Sequence, residues 1–237
     1  MEAEGGIPGV SIYDTLLNKT HVLIAGTTGS GKSVLMNGMI YQLLCSSPSK
    51  SHLVLIDPKR VEFWRYRECA HTDLYASSPE GIQNALNWLV DEMEARYGYM
   101  RRHNLLKSQE APLYCFVDEF ADLMTVQKKE TLPQLCRIAQ LGRAANIHLI
   151  IATQRPTRDI ITGQIKVNLD TRIALRVSTE IDSRNIIGVK GAERLPLYGQ
   201  GIMISPEYLN PIQFDIPMVS EARIQQAVNF WSDKVRV

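Results

Sequence analysis

Gly26-Thr27-Thr28-Gly29-Ser30-Gly31-Lys32-Ser33 is the stretch on which the reading of this chain turns. It has the form G-x-x-x-x-G-K-[ST]. Before it, residues 21–26 (HVLIAG) read as a buried strand; after it, residues 32–45 read as a helix. In that context the glycines let the backbone curl until successive N–H groups point at phosphate oxygens. The positive end of the following helix adds to the field. The expected roles are a nucleotide-phosphate cradle over residues 26–33, with Lys32 on the β- and γ-phosphates and the Ser33 hydroxyl on Mg²⁺. The alternative, a glycine-rich strand–helix turn without a ligand, has eight matching positions against it.

Outward from this loop the chain alternates short β-rich apolar runs with longer helical stretches. Strands are expected at residues 53–57, 113–118, 148–153 and 171–177, with a further one at 201–204. Helices are expected at 80–103, where Ile82, Leu86, Leu89, Val90 and Met93 recur at helical spacing, and at 130–145, where Leu135, Ile138 and Leu141 share a face. Ser220 reads as the N-cap of a final helix running to about residue 233. Strand–helix–strand alternation requires crossover connections. The expected fold class is therefore α/β, with a mostly parallel central sheet and helices on both faces. Nothing marks an internal linker.

Two acids follow the third expected strand: Leu113-Tyr114-Cys115-Phe116-Val117-Asp118-Glu119. With a phosphate loop upstream, Asp118 suits the Mg²⁺ shell and Glu119 the general base that activates water. The alternative is two acids that begin a solvated loop. Gln154 follows the next strand directly and is placed to sense a γ-phosphate, or else is an ordinary polar strand end. Arg143, near the end of the helix before that strand, reads equally as an arginine acting across a subunit interface and as a cation complementing the helix dipole.

Composition sets the outer bounds. The 237 residues are 45% hydrophobic and 22% charged, enough for a sizeable core. A net charge of +1 excludes a basic tail protein and an acidic disordered chain. The balance is local, however: residues 137–194 hold ten basic and five acidic side chains. Cys45, Cys69, Cys115 and Cys136 form no C-x-x-C, so neither a zinc site nor a disulfide framework is indicated, and reduced thiols in the cytoplasm are expected. No apolar run is long enough to span a bilayer, so no membrane contact is expected from this segment; an anchor could lie outside it.

Five stretches carry a resemblance to a known family: AGTTGSGKSVLMN (25–37), LIDPKRVEF (55–63), YCFVDEFADLM (114–124), GRAANIHLIIATQRP (142–156) and DIITGQIKVNLDTRIALRVSTEIDSRNII (159–187). In these the chain resembles the FtsK/SpoIIIE family of DNA-translocating ATPases over roughly residues 15–233. The resemblance implies a RecA-like fold, ATP hydrolysis with Mg²⁺, ring-shaped homo-hexamers with ATP between neighbouring subunits, and movement along double-stranded DNA. By position, Lys32, Ser33, Asp118, Glu119 and Gln154 match the family's nucleotide residues, and Arg143 falls where its trans-acting arginine is expected. Residues 1–20 read as an N-terminal extension, where family motors usually place an upstream domain, and residues 21–237 as the motor domain.

The basic segment supplies the candidate DNA contacts, above all Arg158 and Lys166, which would meet phosphates without reading bases. Gly163, among Ile160, Ile161 and Ile165, reads as a loop able to approach a backbone closely. The competing reading is a solvated helix-and-loop surface, and Arg172 and Arg176 alternate with apolar residues as strand neighbours would. A second function class, a type VII secretion-type ATPase acting on a protein, would turn these basic loops toward a protein partner. A third is a scaffold that holds ATP without turning it over.

Overall fold

β1 (His21–Ala25) is buried along its whole length and lies inside an eight-stranded sheet. The structure is a computed structural model, and it describes residues 11–233. The other strands are β2 (His52–Ile56), β3 (Thr72–Ala76), β4 (Leu113–Val117), β5 (Ile147–Thr153), β6 (Thr171–Ala174), β7 (Gln200–Ile204) and β8 (Ile212–Asp215). Their order is β3-β2-β4-β5-β1-β6-β7-β8. The first six are mutually parallel, and β7 and β8 add antiparallel pairs at one side.

The helices are α1 (Ile12–Leu17), α2 (Lys32–Leu44), α3 (Pro79–Arg102), α4 (Phe120–Val126), α5 (Lys128–Ala145), α6 (Gly163–Asn168), α7 (Glu180–Ile187) and α8 (Glu221–Asp233). They cover both faces of the sheet. Successive strand residues point to opposite faces, so Leu23 and Ala25 of β1 pack with α3 and α5 residues such as Leu89 and Leu135, while Val22 and Ile24 pack with α2 residues such as Leu35 and Met39. A strand buried on both faces cannot alternate apolar with polar residues, which is why HVLIA reads as a continuous apolar run. Each fully buried aliphatic side chain contributes about 1.5–3 kcal/mol relative to exposure.

The long helices and central strands fall within a few residues of expectation. Six elements were not expected: α1, β3, α4, α6, α7 and β8. β3 (TDLYA) is an edge strand, half exposed, with Asp73 breaking any apolar run. α4 and α6 are helices of seven and six residues, under two turns each, whose periodicity is too brief to read. Within the segment read as an extension, residues 1–10 lie outside the described residues; α1 follows, with Tyr13, Leu16 and Leu17 buried against α2. The strand expected at 171–177 ends at Ala174. At the last helix the Ser220 carbonyl accepts from the N–H groups of Arg223 and Ile224. The four cysteines are free thiols. Among the described residues no helix is long and apolar enough to cross a membrane.

Candidate active site

Four adjacent parallel strands, β2, β4, β5 and β1, end at one edge of the sheet. Their registers align Ile56 with Val117, Val117 with Ile151, and Thr153 with Ala25. The residue that follows each strand therefore emerges beside its neighbour, at about 4.8 Å per strand. In this way Asp57, the Asp118–Glu119 pair, Gln154 and Gly26 come together from four distant parts of the sequence. Ligands of open α/β sheets bind outside this carboxyl edge.

The loop over residues 26–33 has the geometry of an anion cradle. Gly29 and Gly31 take left-handed φ values of 77° and 98°. At Gly26 a side chain has no room: a Cβ would stand 2.8 Å from the Leu175 Cβ. Gly31 caps α2 with no side-chain hydrogen bond, leaving the first-turn N–H groups for a ligand. The Thr27 N–H donates to the Arg176 carbonyl at 2.9 Å, which ties the loop to the end of β6. Lys32 folds back, donating to the carbonyls of Gly26 at 2.6 Å and Thr27 at 2.9 Å. Burial pushes its ammonium down to about 8, against the opposing pull of the Glu119 and Asp118 carboxylates. The Ser30 hydroxyl is buried without a partner. These donors fit a polyphosphate.

The carboxylates crowd the same edge. Burial pushes Asp118 up to about 7, and the neighbouring Glu62, Asp57 and Glu119 add to the rise, with Lys59 opposing. Glu119 is only 1% exposed and is the N-cap residue of α4. It accepts the Thr153 hydroxyl at 2.8 Å and the Gln154 N–H at 3.1 Å, and the Lys59 ammonium stands 3.4 Å away. The Gln154 side-chain oxygen in turn accepts the Thr28 hydroxyl at 2.7 Å. Ser33 donates its hydroxyl to Glu62 at 2.6 Å. Hydroxyl and carboxylate oxygens in excess of local positive charge are a hard-cation environment, and they fit Mg²⁺ bound together with a nucleotide.

The structure thus brings together residues 26–33, Asp118, Glu119 and Gln154. Arg143 is elsewhere: exposed, in the last turn of α5, it lies where β5 begins, at the opposite edge of the sheet from the loop. Seven residues of β5 separate the two edges, roughly 23 Å. Arg158 and Lys166 are also outside the cluster. Arg158 is exposed and donates to Asn185 at 3.3 Å. Lys166 is half-buried in α6, its ammonium pushed down by burial and then by Arg172 and Arg158. Arg172 of β6 donates to the Ile186 carbonyl of α7, and Arg176, two residues past β6, donates to the Leu195 carbonyl, so both side chains are engaged within the fold. Gly163 opens α6 and is not in a loop; nothing lies within 4 Å of a Cβ built on it.

Sequence reasoning gave no role to Asp57, Lys59, Glu62 or Thr153. The first three lie in LIDPKRVEF, where a strand end followed by three charged residues was the available signal. For Thr153 no signal existed, because its role depends on β4 and β5 being neighbours.

The profile of the FtsK/SpoIIIE family matches residues 5–112 and 103–158. A protein named DNA translocase FtsK from Caldanaerobacter subterraneus subsp. tengcongensis is 40% identical over 238 residues, which cover 94% of this chain and 33% of that protein. Its namesake from Listeria monocytogenes is 38% identical over 245 residues, covering 94% and 32%. The chain spans about a third of the length of the curated relatives it matches. Among solved structures, the pCW3 conjugation coupling protein TcpA in a monomer form with ATPγS superposes with a TM-score of 0.78 at 25% identity, covering 94% of this chain and 66% of that one. The cytoplasmic domain of the Thermomonospora curvata type VII secretion ATPase EccC gives 0.75 at 24% identity, covering 90% and 28%, a likeness of fold. The fold is that of a RecA-like P-loop NTPase, and a profile match over more than half its length makes this chain a member of the FtsK/SpoIIIE family.

Proposed function

We propose that this chain is the ATP-hydrolysing core of a motor that moves along double-stranded DNA, working as a ring-shaped homo-hexamer. The observation that carries the reading is the convergence of Lys32, Ser33, Asp118, Glu119 and Gln154 on one sheet edge, in a chain whose relatives are named DNA translocases.

Residues 26–33 hold the phosphates through backbone N–H groups, and Lys32 exchanges its two loop carbonyls for phosphate oxygens. Ser33 and Asp118 would hold Mg²⁺, which neutralises phosphate charge when bound. Glu119 takes the proton of the attacking water. To do so it must turn away from Thr153 and the Gln154 N–H, which now enclose it. Gln154, bonded to Thr28 of the loop and continuous with the segment that bears Arg158, links nucleotide state to the basic surface. Arg143, on the far edge, is out of reach of its own subunit's phosphate loop, and this supports a role toward a neighbouring subunit's nucleotide. Arg158 and Lys166 meet DNA phosphates and read no bases.

The likeness to EccC extends to the fold alone and gives no ground for a protein substrate. The test is the ATPase rate with and without linear duplex DNA, across a range of protein concentration. Stimulation by DNA and a rise in turnover per subunit with concentration are expected. Turnover that ignores DNA would shift the reading to the secretion-type ATPase, and absence of turnover to a scaffold.

A further inference from the structure

A serine hydroxyl has one proton and two lone pairs. To offer its oxygen to a cation, it must send the proton elsewhere. At Ser33 that acceptor is Glu62, at 2.6 Å, and not Asp118.

Glu62 does not reach Ser33 by chance of a loose loop. The buried Asp57 carboxylate accepts the N–H of Glu62 at 3.1 Å and of Phe63 at 3.0 Å. Phe63 is fully buried and meets Phe116 of β4 edge-on, with ring centroids 6.2 Å apart. Arg60 takes a left-handed φ of 59°, turning the chain between Asp57 and Glu62. The loop after β2 is therefore clamped at its base and anchored in the core, and its carboxylate is aimed at the first turn of α2.

We propose that Glu62 is the positioning residue of the divalent-metal site: by accepting the hydrogen bond of the Ser33 hydroxyl it fixes the hydroxyl oxygen toward the cation. The inference rests on the nucleotide-binding reading above and adds to it a residue from a different strand end. Glu62 is not a catalytic residue in this scheme, because it acts through Ser33.

The test is equilibrium binding of methylanthraniloyl-ADP to the full chain, in EDTA and then over a Mg²⁺ titration, read by fluorescence. Glu62→Gln should leave the affinity in EDTA within about twofold of wild type and raise the Mg²⁺ concentration for half-maximal effect by about 10–100-fold, the usual cost of losing an outer-shell partner. In a Ser33→Ala background the same substitution should add almost nothing, since the two act through one contact. An unchanged or tightened Mg²⁺ response in Glu62→Gln would overturn the proposal. So would an equal loss of affinity with and without Mg²⁺, which would make Glu62 a support of the loop. Wild-type protein that binds no nucleotide would instead remove the reading on which the proposal stands.

Discussion

The Thr153 hydroxyl donates to Glu119 at 2.8 Å and accepts the Arg155 N–H at 3.1 Å, so one buried side chain ties the proposed base to the segment that leads to Arg158. In this arrangement Glu119 is turned away from solvent. Glu119→Gln keeps an acceptor for Thr153 and should leave nucleotide bound while slowing hydrolysis by roughly 10²–10⁴-fold. Thr153→Val removes the donor at nearly constant volume. It should raise DNA-free turnover, by up to about 100-fold, because a hydrogen bond to a charged group is worth about 1.5–3 kcal/mol and each step of about 1.4 kcal/mol is tenfold. Single-turnover hydrolysis beside nucleotide binding separates the two effects. A fall in turnover in Thr153→Val would show that the contact serves catalysis and does not restrain it.

Lys32→Ala removes a charge-assisted donor and should weaken nucleotide binding or turnover strongly. Arg143→Ala should bind nucleotide normally and fail in turnover. Mixing the two inactive proteins should restore partial activity, since some mixed interfaces pair an intact loop with an intact arginine. Mixtures as inactive as their components would confine Arg143 to the helix end.

DNA binding should be insensitive to sequence and fall steeply with salt, as released counterions require. Replacing Arg158 or Lys166 by Ala should lower the salt slope by roughly one unit wherever that side chain meets a phosphate. Anisotropy on two unrelated duplexes over a salt series measures both. Wild-type slopes in both variants would place the contacts elsewhere in residues 137–194.

Acid should loosen the fold through His21. This side chain is buried and accepts the Leu149 N–H at 3.0 Å. Burial, then the charge of His148, push it down to about 3 from an ordinary value near 6.5. The folded state thus keeps His21 neutral. Its contribution is complete above about pH 6.5 and is lost as pH falls toward 3, where the unfolded chain takes up the proton and the folded chain does not. The slope is at most about 1.4 kcal/mol per pH unit. His148, lowered in the same direction by burial, steepens it. His21→Asn preserves an acceptor for Leu149 without the titration. Urea midpoints from pH 7 to pH 4 should fall less in that variant than in wild type.

Gly38 holds α1 against α2. A Cβ built there would overlap the Tyr13 ring, whose hydroxyl donates to the Pro217 carbonyl. Gly38→Ala gains roughly 1 kcal/mol of helix propensity and loses about 1–3 kcal/mol to overpacking. Net destabilisation in urea is expected, with nucleotide affinity unchanged because Tyr13 lies outside the phosphate loop. A stabilised variant would mean that α1 yields without cost.

The phosphate loop, the two acids after β4 and the central strands were legible in the sequence because each is encoded by neighbours in the chain. A G-x-x-x-x-G-K-S run needs only local backbone geometry, and a strand buried on both faces must be continuously apolar. What the tertiary structure alone decided is which strand ends lie side by side. The adjacency of β4 and β5 sets Thr153 beside Glu119, 34 residues away, and the loop after β2 carries Glu62 to Ser33 of α2, 29 residues away. The same topology sends Arg143 to the opposite edge, although it stands only 11 residues before Gln154 in the chain. A hydrogen bond between side chains carried by different strands depends on sheet order and register, and a strand's own residues specify its faces but not its neighbours.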